Sequence, residues 1–230
     1  MVLLICFSGV AMGQAALLVL IFGEKAATEN FHFSLKAGVN YSIINGYDQG
    51  TNRIGGNFGL VNNIKLSERL SLTPEFLPLS GRGIKNVPVI TTGDQDLDSL
   101  LIDPTSTDRK LSYIDIPVLL KIKLCKRFSV SAGPQISYMT GATDIYKSSP
   151  INGTILTTEL DIRDALNRVD VSAVVDLMFM VSEPKNGKGL NIYLRFSQGF
   201  MDIVKENTGE RFTNTTIQFG AALPFVENAE

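Results

Sequence analysis

Apolar and polar residues alternate without interruption from residue 31 to residue 43. The apolar positions are Phe31, Phe33, Leu35, Ala37, Val39, Tyr41 and Ile43. A period of two places them on one face of an extended strand. The strand is about twice the usual length, and at roughly 3.3 Å per residue it crosses a bilayer core of about 25 to 30 Å when tilted. This segment therefore predicts a strand of a transmembrane β-barrel.

The same period recurs along the chain and gives the predicted architecture. The predicted strands are 31–43, 54–66, 70–81, 111–124, 128–140, 169–181, 190–199 and 213–223. Gly55, Gly56 and Gly59 lie inside the second strand, where glycine commonly marks a bulge or a close approach of two backbones. The sequence thus predicts an all-β fold, an eight-stranded antiparallel up-and-down transmembrane β-barrel.

Connections between the predicted strands alternate in length, which orients the barrel. The long connections are 44–53, 82–110, 141–168 and 200–212. In an up-and-down meander every second connection emerges on the same side, so we expect all four at one rim and both termini at the other. Long outer loops and short periplasmic turns are typical of bacterial outer-membrane barrels.

Alternation alone does not decide which face of the barrel is inside. A soluble ligand-binding barrel in the periplasm would bury the apolar set and expose the polar set to water. The polar faces here are rich in small neutral residues, which suit a narrow filled interior better than a water-exposed surface. The membrane arrangement is the preferred interpretation, and the soluble barrel is the alternative.

The chain begins with an apolar segment that differs from the rest. Residues 1–23 contain no charged residue and include a small-residue cleavage pattern that ends at Gly13, as in a secretory signal. Cleavage as late as Ala27 and an uncleaved anchor helix are the alternatives. The predicted organisation is this leader, one barrel domain over 30–225 and a short tail over 226–230.

Composition and motifs exclude several kinds of function. A net charge of −2 gives no reason to expect nucleic acid as a partner. The sequence has no phosphate-binding glycine loop, metal-ligand cluster or dinucleotide motif, so we expect no cofactor and no metal. The single histidine, His32, has no recognisable nucleophile partner, and the acidic run 94–98 lacks the glycine of a calcium loop. We therefore expect a protein without enzymatic activity.

Charged residues on the polar strand faces predict a network inside the barrel. An eight-stranded barrel is just wide enough for side chains to fill, and an unpaired buried charge is costly. We expect a plugged barrel rather than a pore. The candidate network comprises Lys36, Lys65, Glu75, Asp115, Lys121, Lys123, Asp170, Asp176 and Arg195.

Two neighbouring strands carry a recognisable family pattern. The segment 111–121, LSYIDIPVLLK, followed by 128–135, FSVSAGPQ, resembles the PorT-like outer-membrane β-barrel family. The segments 33–40 and 194–199 add to this resemblance, which extends over about 30 to 225. It implies a barrel in the outer membrane of a Gram-negative envelope. Because the family's namesake is associated with type IX secretion, it also implies an accessory role in protein secretion as an alternative function.

The expected function combines these features. We expect a non-enzymatic outer-membrane barrel with a side-chain-filled lumen, whose mobile outer loops 82–110 and 141–168 contact a protein partner. Outer-membrane lipid and the barrel-assembly machinery are the other expected partners. The sequence does not identify the protein partner.

Overall fold

The computed structural model describes most of the expected barrel domain. It describes residues 31–88, 104–148, 157–185, 188–205 and 210–225. The predicted leader 1–23, the acidic run 94–98 and the tail 226–230 lie outside the described residues. The described part of the chain contains no helix that is long and apolar enough to cross a membrane.

Eight long strands form a closed antiparallel barrel. The strands are β1 (Phe31–Asn45), β2 (Thr51–Lys65), β3 (Leu70–Val87), β4 (Pro104–Lys123), β5 (Phe128–Ser148), the short β6 (Thr157–Asp161), β7 (Val169–Lys185), β8 (Lys188–Gly199) and β9 (Thr213–Phe225). Apart from β6, each strand pairs with the next along the chain, and the β1–β9 pairing closes the ring. We call the end with the connections 66–69 and 124–127 the short-turn rim, and the opposite end the long-loop rim. The predicted eight-stranded barrel is confirmed.

Apolar side chains face outward and polar side chains face the interior. On β1, Val39 and Tyr41 are 51% and 43% exposed, whereas Lys36, Asn40 and Ser42 are fully buried. The same outward surface continues around the barrel, and we call it the apolar belt. It includes Phe58, Phe76, Ile116, Ile136, Val175, Phe196 and Phe219. A soluble barrel would have the opposite arrangement. The periplasmic ligand-binding barrel is therefore the wrong alternative.

The strands extend further towards the long-loop rim than the sequence predicts. β3 continues to Val87, β4 begins at Pro104, and β5 continues to Ser148, where β6 pairs with it. The ends of the predicted loops 82–110 and 141–168 are therefore strand, over 82–87, 104–110, 141–148 and 157–161, which corrects the predicted bounds of these loops. Their middle parts, 89–103 and 149–156, lie outside the described residues, so their mobility stays a prediction. Apolar and polar residues both face inward in these extensions, so the hydrophobic alternation that reveals a strand is lost.

The glycines of β2 allow the strand to bend closely against β3. The pairing of these strands shifts register between Asn52 and Asn57 and again between Phe58 and Leu60. A Cβ at Gly55 would lie 2.3 Å from the Gly81 carbonyl oxygen. These are the β-bulges and close approaches that glycine permits, so the prediction is confirmed.

Candidate functional site

The centre of the barrel holds four charged side chains, which we call the central cluster: Lys36, Glu75, Asp176 and Arg195. Arg195 donates from Nη1 and Nη2 to the two Glu75 carboxylate oxygens at 2.9 and 2.6 Å, and from Nε to Asp176 at 2.9 Å. Lys36 Nζ lies 2.8 Å from Asp176 and 3.9 Å from the centroid of the Tyr193 ring. All four charges are buried, and two cations balance two carboxylates.

A second group of charges lies nearer the long-loop rim. Arg82 Nη2 donates to Asp115 at 2.6 Å, and Arg82 Nη1 lies 3.6 Å from Asp170. The guanidinium also stacks over the Tyr113 ring at 4.5 Å. Asn214 donates to Asp170 at 3.1 Å. Charge-assisted hydrogen bonds thus connect β3, β4, β7 and β9 across the interior.

A third layer joins the extended parts of β4 and β5. Arg109 makes a two-pronged contact with Asp144 at 2.8 and 2.7 Å and donates to the Tyr47 hydroxyl at 2.8 Å. Burial raises the pKa of the Tyr47 phenol above its usual value, although neighbouring Arg109 acts in the opposite direction. Next to this pair, Lys147 Nζ lies 2.8 Å from Asp108. The bidentate geometry fixes β4 against β5 beyond the apolar belt.

The nine residues of the predicted network do not all lie together. Lys36, Glu75, Asp176 and Arg195 form the central cluster, and Asp115 and Asp170 bind Arg82. Lys65 and Lys123 are exposed at the short-turn rim and form no ion pair with a described residue. The ammonium of Lys121 lies 3.5 Å from Asn63 Oδ1 and 3.5 Å from Met178 Sδ, and no carboxylate in the described part of the chain lies within ion-pair distance.

Sequence reasoning missed three charged residues of the upper layers, two arginines and one aspartate. Arg82, Arg109 and Asp144 fall in segments that were predicted as loops, so they were not counted as facing the interior. The only sign in the sequence is that each arginine stands two positions before an apolar residue on the same strand face, Arg82 before Ile84 and Arg109 before Leu111. Such a mixed face has no hydrophobic period to detect.

The long-loop rim is closed by a packed segment that we call the cap, residues 162–167 with 200–205 and 210–212. The backbone of Leu166 pairs with that of Val204, and the Asn167 side chain donates to the carbonyls of Asp202 and Val204. The cap buries Ile162, Leu166 and Ile203. These side chains pack in one apolar cluster with Ile44, Ile84, Val87, Leu111, Tyr113, Met139 and Ala142.

The arrangement fits a filled structural interior. From the centre to the long-loop rim the barrel contains the central cluster, the Arg82 group and the Arg109–Asp144 pair. The apolar cluster lies between the last two of these layers, where Leu111 and Tyr113 of β4 face inward. Within the described ranges no three His, Cys, Asp or Glu side chains are placed to hold a metal ion. His32 lies at the short-turn rim, as its place in the sequence predicts.

Comparison with known proteins agrees with this geometry. Residues 22–205 match the family model described as outer membrane protein beta-barrel domain. No curated protein sequence is significantly similar to the chain. One similar solved structure is that of Ail, the attachment invasion locus protein of Yersinia pestis, in complex with the heparin analogue sucrose octasulfate. Its sequence is 12% identical to this chain, the TM-score is 0.47, and the alignment covers 85% of this chain and 99% of Ail. Neisserial surface protein A has 11% identity and a TM-score of 0.43, over 83% and 96%.

Proposed function

Because the chain belongs to the outer membrane protein beta-barrel domain family, we propose that it is a closed, non-enzymatic barrel that presents a contact surface to a protein partner outside the cell. The outer membrane is the location that the family and the apolar belt establish. We propose as well that membrane lipid covers that belt and that the barrel-assembly machinery inserts the chain.

The filled interior is the observation that supports a closed barrel. Side chains of the central cluster, the Arg82 group and the Arg109–Asp144 pair occupy successive levels of the lumen. Separating one partner of a buried ion pair from the other leaves a charge buried and unpaired, at a cost of about 3 to 5 kcal/mol. An interior held in this way does not rearrange readily to admit solutes.

Conductance across a planar lipid bilayer tests closure. The purified chain is expected to insert without producing stepwise current, because its lumen is occupied by paired charges and by the cap. Heat-modifiable migration of protein recovered from matched proteoliposomes verifies insertion. Regular, ohmic single-channel steps in most insertions would contradict the proposal.

The part of the barrel beyond the belt supports partner contact. β3, β4 and β5 extend past the belt, and β6 pairs with β5 along one edge only among the described strands. Thr157, Thr158, Glu159 and Asp161 are exposed on β6. A short strand with a free edge offers backbone donors and acceptors to an extended peptide.

Site-specific photo-crosslinking in intact cells tests this surface. A photoreactive residue in place of Glu159 is expected to give an adduct of discrete mass, whereas the same residue in place of belt residue Val171, which is exposed on the apolar face, is expected to give none. Equal adducts at both positions, or none at Glu159 under all growth conditions, would count against partner contact through β6.

An accessory role in protein secretion is the alternative, and the resemblance of 111–121 and 128–135 to the PorT-like family is its support. It predicts that deleting the gene blocks the export of secreted proteins while the outer membrane stays intact. Normal export in the deletion strain would remove this alternative and leave the contact function in place.

A further inference from the structure

A cavity of about 420 Å³ opens at the short-turn rim, the end opposite the cap. We call it the vestibule. Its walls are the connections 66–69 and 124–127 together with the adjoining ends of the strands. A cavity of this volume falls within the size range of small-molecule sites, roughly 300 to 1,000 Å³. In outer-membrane barrels the short turns face the periplasm.

Positive charge dominates the vestibule. Six of its described lining residues are cations and one is a carboxylate, Glu68. The cations are Lys65, Arg69, Lys121, Lys123, Lys126 and Arg127. A concave surface lined by one sign of charge focuses the electrostatic field and raises the local concentration of the opposite ion. The vestibule therefore attracts anions.

Lys121 differs from the other cations of the interior. Each of Lys36, Arg82, Arg109 and Arg195 has a carboxylate oxygen within 4 Å. Lys121 has only a neutral amide oxygen at 3.5 Å, which is long for an N–H···O hydrogen bond, and a thioether sulfur at 3.5 Å, which is a weak acceptor. Its half-buried ammonium thus lacks a counterion among the described residues, in a barrel that pairs every other buried cation.

We propose that the vestibule binds a phosphate-bearing anion, with Lys121 as its innermost contact and Lys65, Lys123 and Arg127 around the opening. Ser34 and Ser129 also line the vestibule and supply hydroxyl donors. An ammonium binds phosphate as a point charge, and charge-assisted hydrogen bonds are the strongest available to it. Several cations around one cavity favour an anion with more than one negative charge.

The phosphate can come from a free polyanion in the periplasm or from the headgroup of a membrane phospholipid, because both present the same oxygens. Two measurements distinguish the sources. The first is calorimetric titration of the full chain, purified in an uncharged detergent without phospholipid, with sodium tripolyphosphate. The second is native mass spectrometry of the chain after incubation with phosphatidylglycerol.

Two matched substitutions isolate the site. Lys121→Met keeps an unbranched side chain that is one atom shorter and removes its charge, and we expect tripolyphosphate binding to weaken about tenfold or more. Lys85→Met makes the same change at an exposed position near the long-loop rim, and we expect no change in affinity. Heat-modifiable migration of both variants verifies that each is folded.

Each outcome decides the proposal. Saturable tripolyphosphate binding that is lost in Lys121→Met supports a free polyanion as the source. Lipid adducts that depend on Lys121, without tripolyphosphate binding, support the headgroup. Binding of equal strength in wild type and Lys121→Met, or no binding of either probe, would overturn the proposal.

Discussion

Replacing Arg195 by methionine tests whether the central cluster stabilises the barrel through charge pairing. Arg195 makes four hydrogen bonds, two to Glu75 and two to Asp176. The substitution leaves those two carboxylates buried with Lys36 as their remaining partner. Breaking one side of a buried ion pair costs about 3 to 5 kcal/mol. We therefore expect the equilibrium constant for unfolding to rise by roughly two to three and a half powers of ten.

The assay follows the folded fraction in urea by gel migration without boiling, since the chain has no tryptophan to report unfolding by fluorescence. Arg163→Met is the matched control, because Arg163 pairs with Asp161 on the exposed surface. We expect the control to unfold at the wild-type urea concentration, as exposed ion pairs contribute little.

A second substitution separates charge pairing from lost packing. In Arg195→Met the carboxylates of Glu75 and Asp176 have lost their guanidinium partner. Adding Glu75→Gln removes one of these two negative charges, so we expect the double variant to be more stable than Arg195→Met alone. The reasoning is refuted if Arg195→Met costs less than about 1 kcal/mol, or if Glu75→Gln further destabilises it.

Three further predictions follow from other features. Gly38→Ala would place a methyl group 2.5 Å from both the Tyr193 hydroxyl and the Phe219 carbonyl oxygen, so we expect a much lower refolding yield. The control Gly56→Ala, whose methyl group would have its nearest contact 3.9 Å away, should refold normally, and equal yields would contradict the steric argument. Cys125 is exposed beside the short turns, so a membrane-impermeant maleimide should label it only in permeabilised cells. Glu159→Cys in a Cys125→Ser background should be labelled in intact cells, and the reverse pattern would show that the barrel has the opposite orientation in the membrane. Ile203→Ala removes a buried cap side chain and lowers the stability of the cap by about 2 to 5 kcal/mol, so trypsin should cleave at Lys205 or Arg211 while the barrel still migrates as folded. The control Met201→Ala, at an exposed site, should resist cleavage like the wild type.

The barrel itself could be predicted from sequence because the bilayer imposes a regular pattern. Along β1 and the lower part of β5 every second side chain faces lipid, so the alternation at 31–43 and 128–138 is unbroken. Strand number and the arrangement of the rims follow from that pattern. The inward direction of Lys36, Glu75 and Arg195 follows as well, because polar residues on a lipid-facing barrel have only the interior in which to lie.

The upper barrel could not be predicted in the same way because water replaces lipid beyond the belt. There β4 places Arg109 and Leu111 side by side on its inner face, and the outward positions carry polar residues such as Lys110. The cap was missed for a related reason. Leu166 and Ile203 are isolated apolar residues in irregular segments, and only their contact across the chain shows that they plug the rim.

The candidate network was predicted only in part: six of its nine residues belong to the two inner charge groups, and their pairings did not follow from the sequence. Lys65 and Lys123 share the strand face of the buried charges, yet they lie at the short-turn rim, where the interior opens to solvent. Sequence spacing gives the face of a strand but not its height relative to a neighbouring strand. That height is set by the stagger of the closed barrel.

The central cluster also constrains the order in which the barrel can assemble. Its members come from β1, β3, β7 and β8, so the first and second halves of the chain each contribute one cation and one carboxylate. Neither half can complete the contacts of Arg195 alone. A sheet in which β1 has not joined β9 keeps the Arg195–Asp176 contact of neighbouring strands but lacks the contact between Arg195 and Glu75. We therefore expect the pairing of the two halves of the cluster, and the loss of the water between them, to accompany closure of the barrel.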